Sequence, residues 1–89
     1  MKIAYDPLFV GQVKRAKVRV RKKVKTRLLL FSKNPSNPEL HNHLLSREWV
    51  GYRSINITSD YRAIFEEVKM GKETIAYFVA LGTHKELYR

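Results

Sequence analysis

Eighty-nine residues, 44% hydrophobic and 11% aromatic, make one domain (residues 1–89) with one modest core, and are too apolar for a disordered tail. Eighteen Lys and Arg oppose eight Asp and Glu, a formal charge of +10 that draws the chain to polyanions: RNA, DNA, an acidic membrane surface or an acidic protein. The absence of cysteine excludes disulfides and thiolate metal sites and fits a reducing cytosol, so a cytoplasmic location is expected.

The first stretch, "MKIAY", alternates as a short strand. Asp6 and Pro7 interrupt the N-terminal segment, so a signal peptide is not expected, and no apolar run is long enough to span a bilayer. "DP" also starts a helix, with Asp6 as cap and Pro7 at the first helical position. Apolar residues follow at Phe9, Val13, Ala16, Val20, Val24, Leu28 and Phe31, in helical steps of three and four. By pattern alone this allows one long helix, since "KRAKVRV" contains neither glycine nor proline.

Nine basic residues lie between Lys14 and Arg27, with no acid between Pro7 and Pro38. Most charge runs are simply solvated faces. Repulsion at this density nevertheless costs the helix stability and points to a polyanionic partner, with Lys22, Lys23 and Lys25 as its expected contacts.

"NPSNPE" ends the helical pattern. "GYRSINIT", "YRAIFEEV" and "TIAYFVAL" then read as three strands rich in Ile, Val, Tyr and Phe. The links "SD" and "KMGKE" are of hairpin length, which predicts an antiparallel meander. "GTHKELYR" leaves this apolar core through a glycine and ends on His84, Tyr88 and Arg89, side chains suited to handling a phosphate.

The candidates for chemistry fall in "LHNHLLSREWVGYR", "SDYR" and "GTHKELYR". Side chains alternate across a strand, so Arg62 faces away from Ala63 and Phe65, onto the sheet face the helices leave open. Pairing of neighbouring strands brings Arg62 and Asp60 near His84. Arg53 shares parity with Ile55 and Ile57, which favours the helix side with a snorkelling head. Trp49 is balanced between core anchor and base-stacking platform, and Tyr52 and Tyr77 are core. His41 reads as a surface histidine. Two histidines two residues apart are weak evidence for a metal, so no metal and no cofactor are expected.

The ordered set "LHNHLLSREWVGYRSINITSDYRAIFEE…GTHKELY" resembles the RelE/ParE superfamily of type II toxins, and within it the YafQ-like branch, over the whole chain. "NHLL…WVGYR" resembles that branch's His-Pro-Leu…Gly-Tyr-Arg segment, and "GTHKELY" its Gly-Thr-His motif. The resemblance implies an α+β fold: an N-terminal strand, a two-helix hairpin broken near Arg15 to Val18, a three-strand meander and a short C-terminal helical turn, on a sheet of about four strands. It implies a metal-independent endoribonuclease that cuts mRNA in the ribosomal A site. Its implied partners are mRNA, the ribosome and an acidic cognate antitoxin, with no membrane, the chain being a monomer when free and a hetero-oligomer with antitoxin.

By the same resemblance His43, Asp60 and His84 fall on catalytic positions, Arg62 on the superfamily's Tyr-Arg pair and Tyr88 on its C-terminal tyrosine. Asn56 stands where members often carry another histidine, and Tyr61 where some carry tryptophan. The chemistry is compatible. Histidine titrates near neutrality and serves as acid or base. Here His84 is the expected acid, and His43 or Asp60 the base. Arg62 and Arg53 offer forked donors to a phosphorane, while Tyr61, Trp49 or Tyr88 can stack a base. Two other classes are a non-catalytic nucleic-acid or protein-binding module on the same fold, and a ParE-type toxin directed at gyrase, the histidines favouring the nuclease.

Overall fold

The computed structural model describes residues 1–88; Arg89 lies outside the described residues. Strand β1 (Lys2–Tyr5) leads into α1 (Pro7–Arg15), where the Asp6 carboxylate accepts from the Leu8 amide at 2.8 Å and Pro7 opens the helix. The basic run does not continue as one helix. Ala16 and Lys17 are both extended, and α2 (Val18–Lys33) starts afresh. The Arg21 guanidinium donates to the Ala16 carbonyl at 2.6 Å, capping α1 with a side chain from α2.

Beyond α2 come β2 (His43–Leu44), β3 (Arg53–Asn56), β4 (Tyr61–Met70), β5 (Glu73–Thr83) and α3 (His84–Leu87), with short 3₁₀ turns at Pro38–Leu40 and Arg47–Trp49. The sheet has five strands in the order β1-β5-β4-β3-β2. The expected meander is β3, β4 and β5, all antiparallel, and β1 joins its edge parallel to β5. The strand beyond the expected four is β2; its two residues are too few to show a period. The β4–β5 strands run further than "KMGKE" implied, turning at Gly71 and Lys72, where Gly71 takes φ +64 in the left-handed region glycine tolerates.

One face of the sheet packs against the helices. Phe9, Val20, Val24, Leu28 and Phe31 meet Ile55, Ile57, Ala63, Phe65, Ala76, Phe78 and Leu81, with Val13 and Ala16 at the margin. Phe31 packs edge-on against Phe65 and Phe78, with ring centres at 5.0 and 5.5 Å. The register slips once, between Ile64 and Phe65: Ile64 pairs with Ala80 and Phe65 with Phe78, leaving Val79 as the extra residue of a bulge. Without that slip Phe78 and Leu81, three apart, would point to opposite faces; with it both enter the core.

Candidate active site

On the other face the sheet positions a row of polar residues. Asn56 on β3 pairs with Arg62 on β4, and Arg62 with Gly82 on β5. One residue beyond Gly82, Thr83 caps α3. Its hydroxyl accepts from the Glu86 amide at 3.2 Å, and the Glu86 carboxylate accepts from the Thr83 amide at 2.8 Å. The His84 amide donates to the Asp60 carbonyl at 3.0 Å, fixing the start of α3 to the β3–β4 turn.

A Cβ on Gly82 would lie 3.1 Å from Glu86 Oε1 and 3.3 Å from Leu87 Cγ and Cδ2. The glycine therefore leaves α3 room to fold back closely over the strand. The Trp49 indole holds the other end of α3, donating to the Leu87 carbonyl at 2.8 Å, and its ring packs edge-on to Tyr52 at 5.5 Å.

These restraints shape an open cavity of about 580 Å³, lined among others by His41, His43, Asn56, Arg62, His84 and Tyr88, with Trp49 at its wall. The ring of Tyr88 meets that of His84 at 4.6 Å, steeply inclined, which limits the imidazole's freedom. His43 Nδ1 lies 2.8 Å from the His41 carbonyl. A carbonyl oxygen only accepts, so Nδ1 carries the proton and, in the neutral ring, Nε2 keeps the lone pair. Arg62 is held from behind. Its Nη1 donates to the carbonyls of Thr58, Ser59 and Tyr61 at 2.9, 3.2 and 3.1 Å, while Nε and Nη2 make no hydrogen bond to another described residue. A forked cation tethered at one nitrogen is suited to a phosphate.

The structure thus brings His43, Arg62, His84, Trp49 and Tyr88 together. Asp60 is placed differently: it positions α3 through its backbone carbonyl, and its carboxylate is not among the cavity's lining groups. Tyr61 lies half-buried against the core on the helix side, because its parity is that of Ala63 and Phe65, and it cannot stack a base in this cavity. Arg53 donates from Nε to the Asn42 side chain at 2.9 Å, away from the cavity, as its parity with Ile55 required.

The basic run splits around α2. Lys23 lies near the β3–β4 turn, Lys25 borders an apolar groove on the opposite flank, and Lys22 is exposed and lines neither. His41, read from the sequence as a surface histidine, is exposed and borders the site. Its ring sits 4.9 Å from that of His43, and its left-handed backbone (φ 48) turns the chain into β2. Among the described residues no three His, Cys, Asp or Glu side chains gather as a metal site, and no helix is long and apolar enough to cross a membrane.

A five-stranded mixed sheet with a two-helix hairpin on one face, and a histidine-bearing turn closing the other, defines a RelE/ParE-like toxin. The family model for bacterial toxins of type II toxin–antitoxin systems, YafQ, matches residues 1–89. The chain belongs to that family. It is similar to YafQ from E. coli strain BL21(DE3), with 27% identity over 99% of this chain and 98% of that one and a TM-score of 0.76. It is likewise similar to YafQ in the E. coli DinJ–YafQ complex, with 27% identity over 99% of this chain and 98% of that one and a TM-score of 0.65. The YoeB/ParE toxin from Agrobacterium tumefaciens shares the fold at 18% identity over 94% and 99% of the two chains, with a TM-score of 0.73. No curated protein sequence matches.

Proposed function

We propose that the chain is a metal-independent endoribonuclease that cleaves mRNA, in the ribosomal A site, and is held inactive by an acidic antitoxin. The observation that carries this is the meeting of His43, Arg62 and His84 in one cavity. His43 Nε2, with its lone pair free, takes the proton from the 2′-hydroxyl. O2′ attacks phosphorus, and Arg62 offers its remaining donors to the oxygens that gain charge. The P–O5′ bond breaks as His84 gives its proton to the leaving oxygen. The products are a 2′,3′-cyclic phosphate and a 5′-hydroxyl. Trp49 or Tyr88 supplies an aromatic surface for an unpaired base. Asp60 acts through the position of α3, which makes His43 the base of this scheme. The solved DinJ–YafQ complex supports the antitoxin as a partner, and the charge of +10 supports its acidity.

Primer extension on a translated message with purified protein tests the proposal. Cleavage persisting in EDTA and leaving cyclic or 3′-phosphate ends is expected. His84→Ala should lower the rate by roughly 10²–10⁴-fold and abolish toxicity while leaving the fold intact. Full cleavage by the alanine variant, or a reaction that stops in EDTA, refutes the scheme. Growth arrest with intact messages and stalled gyrase favours the ParE-type reading.

A further inference from the structure

The basic residues of α2 are not one face. Val20, Val24, Leu28 and Phe31 point into the core, and the cations divide on either side of that stripe. Arg21 and Lys25, with Lys14 of α1, border an apolar groove formed with Ile3, Phe9 and Leu29. Arg19, Lys23 and Arg27 lie on the other flank, at successive four-residue steps. They line a second cavity, of about 490 Å³, together with Glu39 and the segment Asn56–Ser59.

Asn56 lines this second cavity and also the cavity of His43, Arg62 and His84. The Thr58–Ser59 turn that Arg62 grips from behind forms the second cavity's wall. The two are therefore adjacent chambers separated by one turn, with Asn56 common to both. The Asn56 side-chain oxygen is buried without a hydrogen-bond partner among the described residues.

Four residues of helix rise about 6 Å, a step of the same size as that between successive phosphates on an extended strand. Arg19 and Lys23 are exposed. A single acid, Glu39, faces three cations there, so the chamber is net positive.

We propose that Arg19, Lys23 and Arg27 form a phosphate track that carries the single RNA strand away from the cleavage cavity over the Thr58–Ser59 turn, while the Lys14–Lys25 flank does not touch RNA. The proposal rests on the cavity accepting RNA, and it assigns the path and the contacts outside that cavity. An acidic protein segment is the competing occupant of a basic flank. Continuity with the cavity through Asn56 favours the nucleic acid, because a strand threaded past His84 and His43 must leave across one of the cavity's rims.

The test uses fluorescence anisotropy with single-stranded RNA, in the His84→Ala background so that the probe survives. Two probes are needed, one of about 4 nucleotides that fills only the cavity and one of about 12 that reaches α2. Arg19→Gln/Lys23→Gln should lower the salt slope for the longer probe by about 1.4, two contacts at about 0.7 each on a single strand. The shorter probe should be unaffected. Lys14→Gln/Lys25→Gln removes the same charge and should leave both slopes unchanged. Equal losses from the two double variants would mean net charge alone and overturn the track. So would an unchanged slope in Arg19→Gln/Lys23→Gln when the parent binds and cleaves. Loss of antitoxin binding with RNA binding intact would assign the flank to the protein partner. A parent that neither binds the longer probe nor, with His84 restored, cleaves RNA would sink the nuclease reading and the track together.

Discussion

Gly82→Ala tests whether the strand exit is what sets the candidate site. The substitution puts no strain in the backbone, since Gly82 is not among the glycines with positive φ. Restricting the unfolded chain favours alanine by about 0.4–1 kcal/mol. Against this, the new methyl would sit 3.1 Å from Glu86 Oε1 and 3.3 Å from two Leu87 carbons. The Glu86 carboxylate is flexible and can swing away, but it then gives up its bond to the Thr83 amide, about 1 kcal/mol. Leu87 must give ground as well, and overpacking of this kind costs about 1–3 kcal/mol. The net effect is a loss of roughly 1–3.5 kcal/mol with α3 in place, relieved in part if α3 lifts from the sheet.

Lifting α3 parts Leu87 from Trp49, the single tryptophan of the chain, so the indole N–H resonance in proton NMR reports the event without interference. The melting temperature should fall by at least about 4 °C, at about 4–8 °C per kcal/mol for a domain of this size. Cleavage should fall far more, roughly 10²-fold, because His84 rides on α3 and small misplacements of a reacting group cost that much. An unshifted indole resonance with equal or higher melting temperature would refute the packing argument. A displaced indole with undiminished cleavage would refute the placement of His84 in the chemistry.

Phe31→Ala removes a fully buried ring packed against Phe65 and Phe78 and should cost about 3–5 kcal/mol, read as a lower urea midpoint at unchanged slope. A loss under about 1 kcal/mol would show that the core is not centred there. The Asp6 carboxyl is held below the usual carboxylate range by the Leu8 amide and then by the Tyr77 hydroxyl, with burial opposing both. Its folded value lies below its unfolded one, so this contribution to stability is present near neutrality and fades as the pH falls through the acid range. Tyr77 is raised above its ordinary value by the same bond, so its share persists below the unfolded value and is lost as the pH rises through the folded one. Tyr77→Phe should move the Asp6 titration in carbon NMR back towards the usual range but not fully, since the Leu8 bond remains; no movement would show that the hydroxyl is not a partner.

What could be read from the chain and what could not divides by the range of the interaction that decides it. The helical steps from Phe9 to Phe31 were readable because every apolar position repeats the same local rule, and those residues are the helical side of the core. The break between α1 and α2 was not readable from that rule. The pattern runs straight across Ala16 and Lys17, and Arg21, five residues on, supplies the cap; the family resemblance placed the break. Lys22, Lys23 and Lys25 are close in sequence, yet adjacent helical residues point about 100° apart, so Lys23 and Lys25 border different cavities on opposite flanks of α2.

The bulge at Val79 is the clearest case. "TIAYFVAL" is apolar on both faces, so nothing in its composition marks where the alternation slips. Yet the slip decides the site. Counted without it, Gly82 would share the face of Phe78 and α3 would start from the helix side. With it, Gly82 pairs with Arg62 on the open face, and the next turn carries His84 to the cavity of His43. The residues of the candidate site were visible as types. Their meeting depends on one unpaired residue in a strand, whose cost is repaid only once Phe78 and Leu81 are both buried.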